Sequence, residues 1–256
     1  MEIGAITGYM DVAQVTLYAF WIFFAGLIFY LHREDKREGY PLESERSAHV
    51  TVQGFPPIPE PKTFRMRDGR VVQAPDRIAD TRPVAAIPAF AHLGAPLVPT
   101  GDPLADAVGP AAYAERAQEP ERTWEGEPLI APARLVAGAS VAEEDADPRG
   151  MPVIAADQQA AGTVVELWID RSEPQIRYLE VETGRGGRRV LMPINFAWID
   201  PRRREVRTRA LTAAQIARVP GIASDSEITK REEDRITAYW AGGFLYATPS
   251  RQEPLL

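Results

Sequence analysis

In a chain of 256 residues without a cysteine, the side chains best suited to moving protons are carboxylates. The stretch WIDRSEPQIR sets Asp170 and Glu173 three apart, where an alternating apolar run gives way to Ser and Pro, with Arg171 and Arg177 nearby. A carboxyl that is buried or crowded by like charge has a raised pKa and can exchange protons near neutral pH. The same residue types are also common in ordinary turns, and the spacing alone leaves both readings open. Other chemistries are closed off. Without Cys there are no disulfides, thiolate metal sites, iron–sulfur clusters or Cys nucleophiles. The three histidines, His32, His49 and His92, all lie upstream of the segment that reads as globular, which disfavours a His triad or a multi-His metal site. No P-loop or dinucleotide glycine fingerprint is present. A net charge of −7 argues against a general nucleic-acid binder.

The element that organises the rest is Val12 to Leu31, twenty residues without a charge. At about 1.5 Å per residue it reaches roughly 30 Å, the thickness of a bilayer's hydrocarbon core, and in lipid such a segment must be a helix to satisfy its own backbone. A signal peptide would carry a basic leader and a small-residue cleavage site, and neither is present. Only Glu2 and Asp11 flank it on the N-terminal side, whereas Arg33, Lys36 and Arg37 follow it. Basic residues stay in the cytoplasm, so residues 1–11 are expected on the periplasmic side and everything after the span in the cytoplasm. Tyr30, Arg33, Lys36, Arg37 and Tyr40 fall at headgroup depth, where the cations could hold anionic lipid and the tyrosines could anchor the chain.

REDKREGYPL (33–42) reads as one or two further helical turns laced with opposite charges and stopped by Gly39 and Pro41. From Pro41 to Pro110 the chain carries 12 of its 23 prolines, which suits extended or polyproline segments. Apolar residues from Phe55 to Val98, Leu93 among them, keep interleaving there, so residues 32–110 are expected to lie along a partner's surface. RMRDGRVVQAP (65–75) reads as a hairpin turning at Asp68-Gly69. Residues 111–117 read as a short helical turn, and 133–145 contain strand-like alternation. The stretch 147–211 reads as four or five short strands of a small bent barrel, with Val165, Leu167 and Ile169 on one face of GTVVELWID and TGRGG (183–187) as a turn. LTAAQIARVP and ITKREEDRITAYWAGG read as helices, the second opening on Glu232 and Glu233 and ending at Gly242-Gly243. Arg202-Arg203-Arg204 reads as a solvated turn. The expected fold is thus one transmembrane α-helix (12–31), an extended Pro-rich segment (32–110), and a mostly-β cytoplasmic domain with short helices (111–256).

DVAQVTLYAFWIFFAGLIFYL followed by REDKREGYPLE, then PKTF, PTGDP, VGPAAY, DPRGMPV, LWIDRSEPQIRYLEVE and REEDRITAYWAGGFLYATP, occur in an order that resembles the H subunit of the photosynthetic reaction centre of purple bacteria. The resemblance spans essentially the whole chain. It implies a PRC-type β-barrel and a pigment-free, non-catalytic subunit of the inner (intracytoplasmic) membrane. Such a subunit stabilises the L and M subunits, caps their quinone acceptors and helps carry protons to the secondary quinone. Bacteriochlorophyll, bacteriopheophytin, quinones, non-haem iron and carotenoid are then implied on L and M, with none bound mainly by this chain. Further implied neighbours are a light-harvesting antenna ring, a cytochrome subunit and membrane lipids, with no nucleic acid. A membrane-tethered adaptor and a single-pass enzyme are the competing readings; the full-length match weighs against the first and the missing catalytic motifs against the second.

By resemblance, Asp170 and Glu173 match proton-path carboxylates, with Arg177 as a charge partner. The match departs from the family where some members carry a D-G-H-G-H run that accepts protons. Here the corresponding stretch is Thr123-Trp124-Glu125-Gly126-Glu127, leaving Glu125, Glu127 and the nearby Glu121 as substitutes. A free carboxylate holds fewer protons at pH 7 than imidazole does. Zinc should therefore inhibit proton uptake only weakly, and submicromolar zinc inhibition mapped to this loop would overturn that expectation.

Overall fold

Asp11 starts the first helix: its carboxylate accepts the N–H of Gln14 at 2.7 Å, capping α1 (Val12–Asp35) where the apolar run begins. The chain is seen here in a computed structural model that describes residues 4–7, 9–44, 47–75, 80–92, 94–173, 175–184 and 187–252. It divides into two compact units, residues 1–81 with 92–94 and residues 82–91 with 95–256.

In the first unit no residue of α1 is buried, and Ile22 is 75% exposed. Its 24 residues are long and apolar enough to cross a membrane, the environment that makes such a surface stable. Past Leu31 the helix continues only to Asp35 and is capped at Lys36. The charge lacing is a pair across one turn, Arg37 Nε to Glu34 at 2.9 Å, joined by Lys62. Lys36, expected at the headgroup surface, is instead buried: its ammonium donates to the carbonyls of Gln53 and Pro56, each at 2.7 Å, and lies 4.9 Å from the Tyr40 ring. A desolvated ammonium needs such acceptors, and the chain's own carbonyls supply them.

The stretch after Pro41 is less extended than its prolines suggest. Leu42–Ser44 pairs with Ser47–Val52, and Lys62–Arg65 with Val71–Ala74 around the expected turn, where Gly69 takes φ +84°. In the second unit Ala86–Pro88 pairs with Leu97–Pro99. Prolines sit at the ends of these short strands, where no ladder donor is required of them. Leu93 and residues 185–186 of the TGRGG turn lie outside the described residues.

The second unit is built on a seven-stranded sheet. Its strands run in the order Arg189–Pro193, Gln175–Thr183, Ala160–Asp170, Pro152–Ile154, Glu205–Arg207 and Trp198–Asp200, with Ile130–Pro132 also pairing to Ala160–Asp170. Pro152–Ile154 and Glu205–Arg207 are parallel, and every other pair is antiparallel. The 11-residue central strand departs from simple alternation. Register shifts between Val164 and Glu166 and between Trp168 and Ile169 put Val164, Leu167 and Trp168 all inside, so Val165, Leu167 and Ile169 do not share one face. Each bulge adds a residue to one strand and bends the sheet. Buried Trp168 donates to Glu180 at 3.0 Å, satisfying its indole N–H. The Arg202–Arg204 run is the exposed turn expected between two strands.

Three local expectations are corrected. The helical turn expected near 111–117 is a 3-10 turn at Gly109–Ala111, where Pro110 sits in the first turn and needs no N–H partner there. The strand expected within 133–145 lies just before it, at Ile130–Pro132, and Ala133–Leu135 is a 3-10 turn. Gly242 and Gly243 do not end a helix: α3 (Lys230–Tyr246) runs through them. They serve close packing. A Cβ on Gly242 would stand 2.6 Å from Ala111 Cβ, and one on Gly243 would stand 2.5 Å from the Ala210 carbonyl oxygen. Trp240 is fully buried as well, donating to Leu191 O at 3.0 Å. The short helix α2 (Ala213–Ile216) and α3 both begin with capping boxes, Thr212/Gln215 and Thr229/Glu232.

Replacing Gly243 by Ala should destabilise the second unit. Overpacking against backbone costs about 1–3 kcal/mol, which outweighs the roughly 1 kcal/mol that Ala gains in a helix. Thermal unfolding of the full chain in detergent should show Tm lowered by a few degrees, whereas Gly221→Ala, whose nearest neighbour is the flexible end of Arg188 at 3.5 Å, should leave it nearly unchanged.

Candidate functional site: a carboxylate network at the end of the sheet

Asp170 ends the central strand and pairs in register with Gln175, leaving a tight turn between. Its Oδ1 accepts the N–H of Ser172 at 2.9 Å and of Glu173 at 3.1 Å, so the turn reading of this residue holds. Its side chain is nevertheless only 6% exposed, and Oδ2 stands 3.5 Å from Arg177 Nη1. One carboxylate thus uses one oxygen to shape the turn and the other to meet a cation. Glu173 does not share that burial. It lies exposed on the turn, with Gln175 Nε2 at 3.4 Å from its Oε2.

Residues 121–129 fold back as a small loop. Thr123 N–H donates to Glu127 O at 2.8 Å, Gly126 N–H to Thr123 O at 3.0 Å, and Leu129 N–H to Glu121 O at 2.7 Å. Gly126 takes φ +93°, which this turn demands. The loop is tied to the strand end, since Arg171 N–H donates to Leu129 O at 2.9 Å and Arg171 Nη1 lies 3.4 Å from Glu127 Oε2. Glu121, Glu125 and Glu127 are all exposed, Glu125 at the turn itself. Beneath this surface, Thr123 Oγ1 and Arg171 Nε are buried without a hydrogen-bonding side chain or backbone group among the described residues.

On the other side of Arg177 the network reaches α3. Tyr178 OH donates to Glu233 Oε2 at 3.1 Å. Burial pushes the Glu233 carboxyl above its ordinary value, with the Glu121 charge adding to the rise, while the Tyr178 hydrogen bond, Arg177 and Arg116 oppose it. Burial and the Glu233 charge also raise the Tyr178 phenol. The Pro120–Thr229 bridge and the hydrogen bond from Lys230 N–H to Glu119 O, at 3.1 Å, fasten the 119–121 segment to the start of α3.

The sequence reading named Glu233 only as a charge at the helix start and did not single out Tyr178. A signal was available: Glu233, Ile236 and Trp240 fall on one helical stripe, and the latter two are fully buried. The remaining expected positions belong to the first unit. Tyr30 is exposed with Lys62 Nζ 6.0 Å from its ring, Arg33 is exposed, Arg37 also donates to Glu60 O, and Tyr40 flanks Lys36. Among the described residues no group of three His, Cys, Asp or Glu is arranged to hold a metal.

The chain thus combines one apolar helix long enough to span a bilayer with a bent β-sheet domain that carries a carboxylate–arginine network. Comparison with known families agrees: the PRC-barrel domain model matches residues 141–215, and the model of the photosynthetic reaction centre H-chain N-terminal region matches residues 4–135. The chain belongs to the photosynthetic reaction centre H-chain family. Membership makes it a structural subunit that associates with the L and M subunits of the reaction centre.

The raised Glu233 carboxyl has a thermodynamic consequence. Between the ordinary carboxylate value of 4.5 and the elevated folded value, the native state binds more protons than the unfolded state. Stability should therefore fall as pH rises through that window and level off above it. Urea midpoints measured across the window should decline in the wild type and show a flatter profile in Glu233→Gln.

Proposed function

We propose that this subunit caps the quinone acceptor side of L and M and conducts protons from the cytoplasm toward the secondary quinone. The observation that carries this reading is the continuity of ionisable groups from an exposed loop to a buried strand end: Glu127 to Arg171, then Asp170 paired with Arg177, whose charge also reaches Glu233. In the proposed path Glu125, Glu127 and Glu121 collect protons at the surface in place of imidazoles. Water held by Thr123 Oγ1 and Arg171 Nε would link the loop to the strand end. Asp170 and Glu173 pass the proton inward, with Arg177 beside Asp170 as its charge partner. Glu233, whose carboxyl burial raises above its ordinary value and which accepts the Tyr178 hydroxyl, flanks the path from the helix side.

In this reading the chain performs no catalysis itself. The bacteriochlorophylls, bacteriopheophytins, quinones, non-haem iron and carotenoid reside on L and M, and an antenna ring, a cytochrome subunit and lipids complete the surroundings. The N-terminus faces the periplasm and the β-domain the cytoplasm of the intracytoplasmic membrane, following the basic flank of α1. The hairpins between residues 42 and 99 lie along the partners, consistent with exposed Phe55 (79%) and Val84 (65%).

Gentle purification through a tag on this chain should recover L and M with near-infrared bacteriochlorophyll absorption; a colourless protein that never binds them would overturn the assembly. In the recovered complex, flash-induced proton uptake on the second electron should slow by at least about tenfold in Asp170→Asn and less in exposed Glu173→Gln. Unchanged uptake in both variants would remove the strand end from the path.

A further inference from the structure

A second polar site lies in the β-domain among residues that the proton path does not use. A cleft of about 330 Å³ is lined by Arg188, Arg218 and Arg235 together with Tyr113, Tyr239 and Leu104. Its lining holds three guanidinium groups and no carboxylate, in a chain whose net charge is −7. The arginines are held in place in different ways. Arg188 donates through Nη1 to Ala217 O and through Nη2 to Val219 O, both at 2.7 Å, so its position is fixed by carbonyls that leave its charge uncancelled. Arg218 is fixed by Asp102 at 2.6 Å. Arg235 has no carboxylate within ion-pair distance among the described residues; its guanidinium carbon lies 5.9 Å from the centroid of the Tyr113 ring, over which Arg82 also sits at 4.4 Å.

The neighbouring acids are already engaged. Glu115 is shared by Arg231 at 3.0 Å and Arg82 at 3.4 Å, and Glu232 closes the α3 capping box and accepts the N–H of Ala223 at 2.7 Å. Asp102 offsets Arg218, but Arg188 and Arg235 have no carboxylate partner among the described residues, so the cleft presents positive charge, with forked N–H donors on Arg235 and an apolar floor. Guanidinium forks match the oxygens of phosphate in geometry and charge, and phosphate oxyanions are strong acceptors for them.

We propose that this cleft binds an oxyanion of the phosphate class, with Arg235 as its direct ligand and Arg188 supplying a fixed positive charge at the rim. The source of such a group is either a soluble phosphate ester or a phospholipid headgroup, and both present the same oxygens to the cleft. The site does not depend on the proton-path reading.

The test is calorimetric titration of the full chain in detergent with two probes, inorganic pyrophosphate and a short-chain phosphatidylglycerol below its micelle concentration. Arg235→Gln should weaken binding by at least about tenfold, while Arg149→Gln, whose arginine pairs with Asp147 away from the cleft, should leave it unchanged. Pyrophosphate binding sensitive to Arg235 assigns a soluble ligand; phosphatidylglycerol binding sensitive to Arg235, without pyrophosphate binding, assigns a headgroup. Binding of neither probe, or binding equally strong in Arg235→Gln, overturns the proposal. Arg235 is exposed, so the variant should keep the wild-type Tm, and a matching melt confirms that any loss is local.

Discussion

The close approach of α3 to the rest of the β-domain is the constraint on which the second unit depends. Gly242 and Gly243 lack the Cβ atoms that would collide with Ala111 and with the Ala210 carbonyl. Trp240 can then bury its whole ring and reach Leu191 O, and Ile236 is likewise removed from water. Fixing the helix at this depth also fixes its first turn. Thr229 and Glu232 satisfy the free N–H groups there, and the next residue, Glu233, is turned inward against Tyr178 rather than out to solvent. The elevated Glu233 pKa thus follows from a packing requirement two to three turns away along the helix.

The sheet contributes a second placement by a different means. Two bulges bend the central strand, and the strand ends at a carboxylate that makes its own turn. Because Asp170 spends one oxygen on backbone donors, its other oxygen is oriented toward Arg177 without further support. Burying a carboxylate is costly unless it is hydrogen-bonded and paired, and here both conditions are met by residues within seven positions in sequence. The 121–129 loop reaches the same end through Leu129 and Arg171, so a surface acid and a buried one come together from chain segments more than forty residues apart.

The first unit follows a different economy of interactions. Its helix buries nothing within its own chain, and its hairpins leave large apolar side chains exposed. Its internal order at the helix exit comes from a polar clamp, with Lys36 held by two carbonyls and Glu34 by Arg37 and Lys62. Such exposed apolar surface suits a member of a family that assembles with L and M.

Much of this was legible along the chain because its causes are local. An uncharged, mostly apolar run of twenty residues needs no neighbour to be recognised as a span, Asp68-Gly69 specifies its own turn, and Glu232 with Glu233 marks where α3 begins. The membership itself was readable because ordered short motifs survive independently of their contacts. The strand end was also readable, since Asp170 and Arg177 are close in sequence. Tertiary structure alone decided the rest. It decided that Gly242-Gly243 packs rather than terminates, that Lys36 turns inward rather than to the headgroups, and that bulges reset the faces of the central strand. It also decided that Glu233 joins Tyr178, and that arginines at 188, 218 and 235 meet around one cleft. Each of these depends on which distant surface a residue meets, and burial and charge pairing are properties of that meeting rather than of the residue's neighbours along the chain.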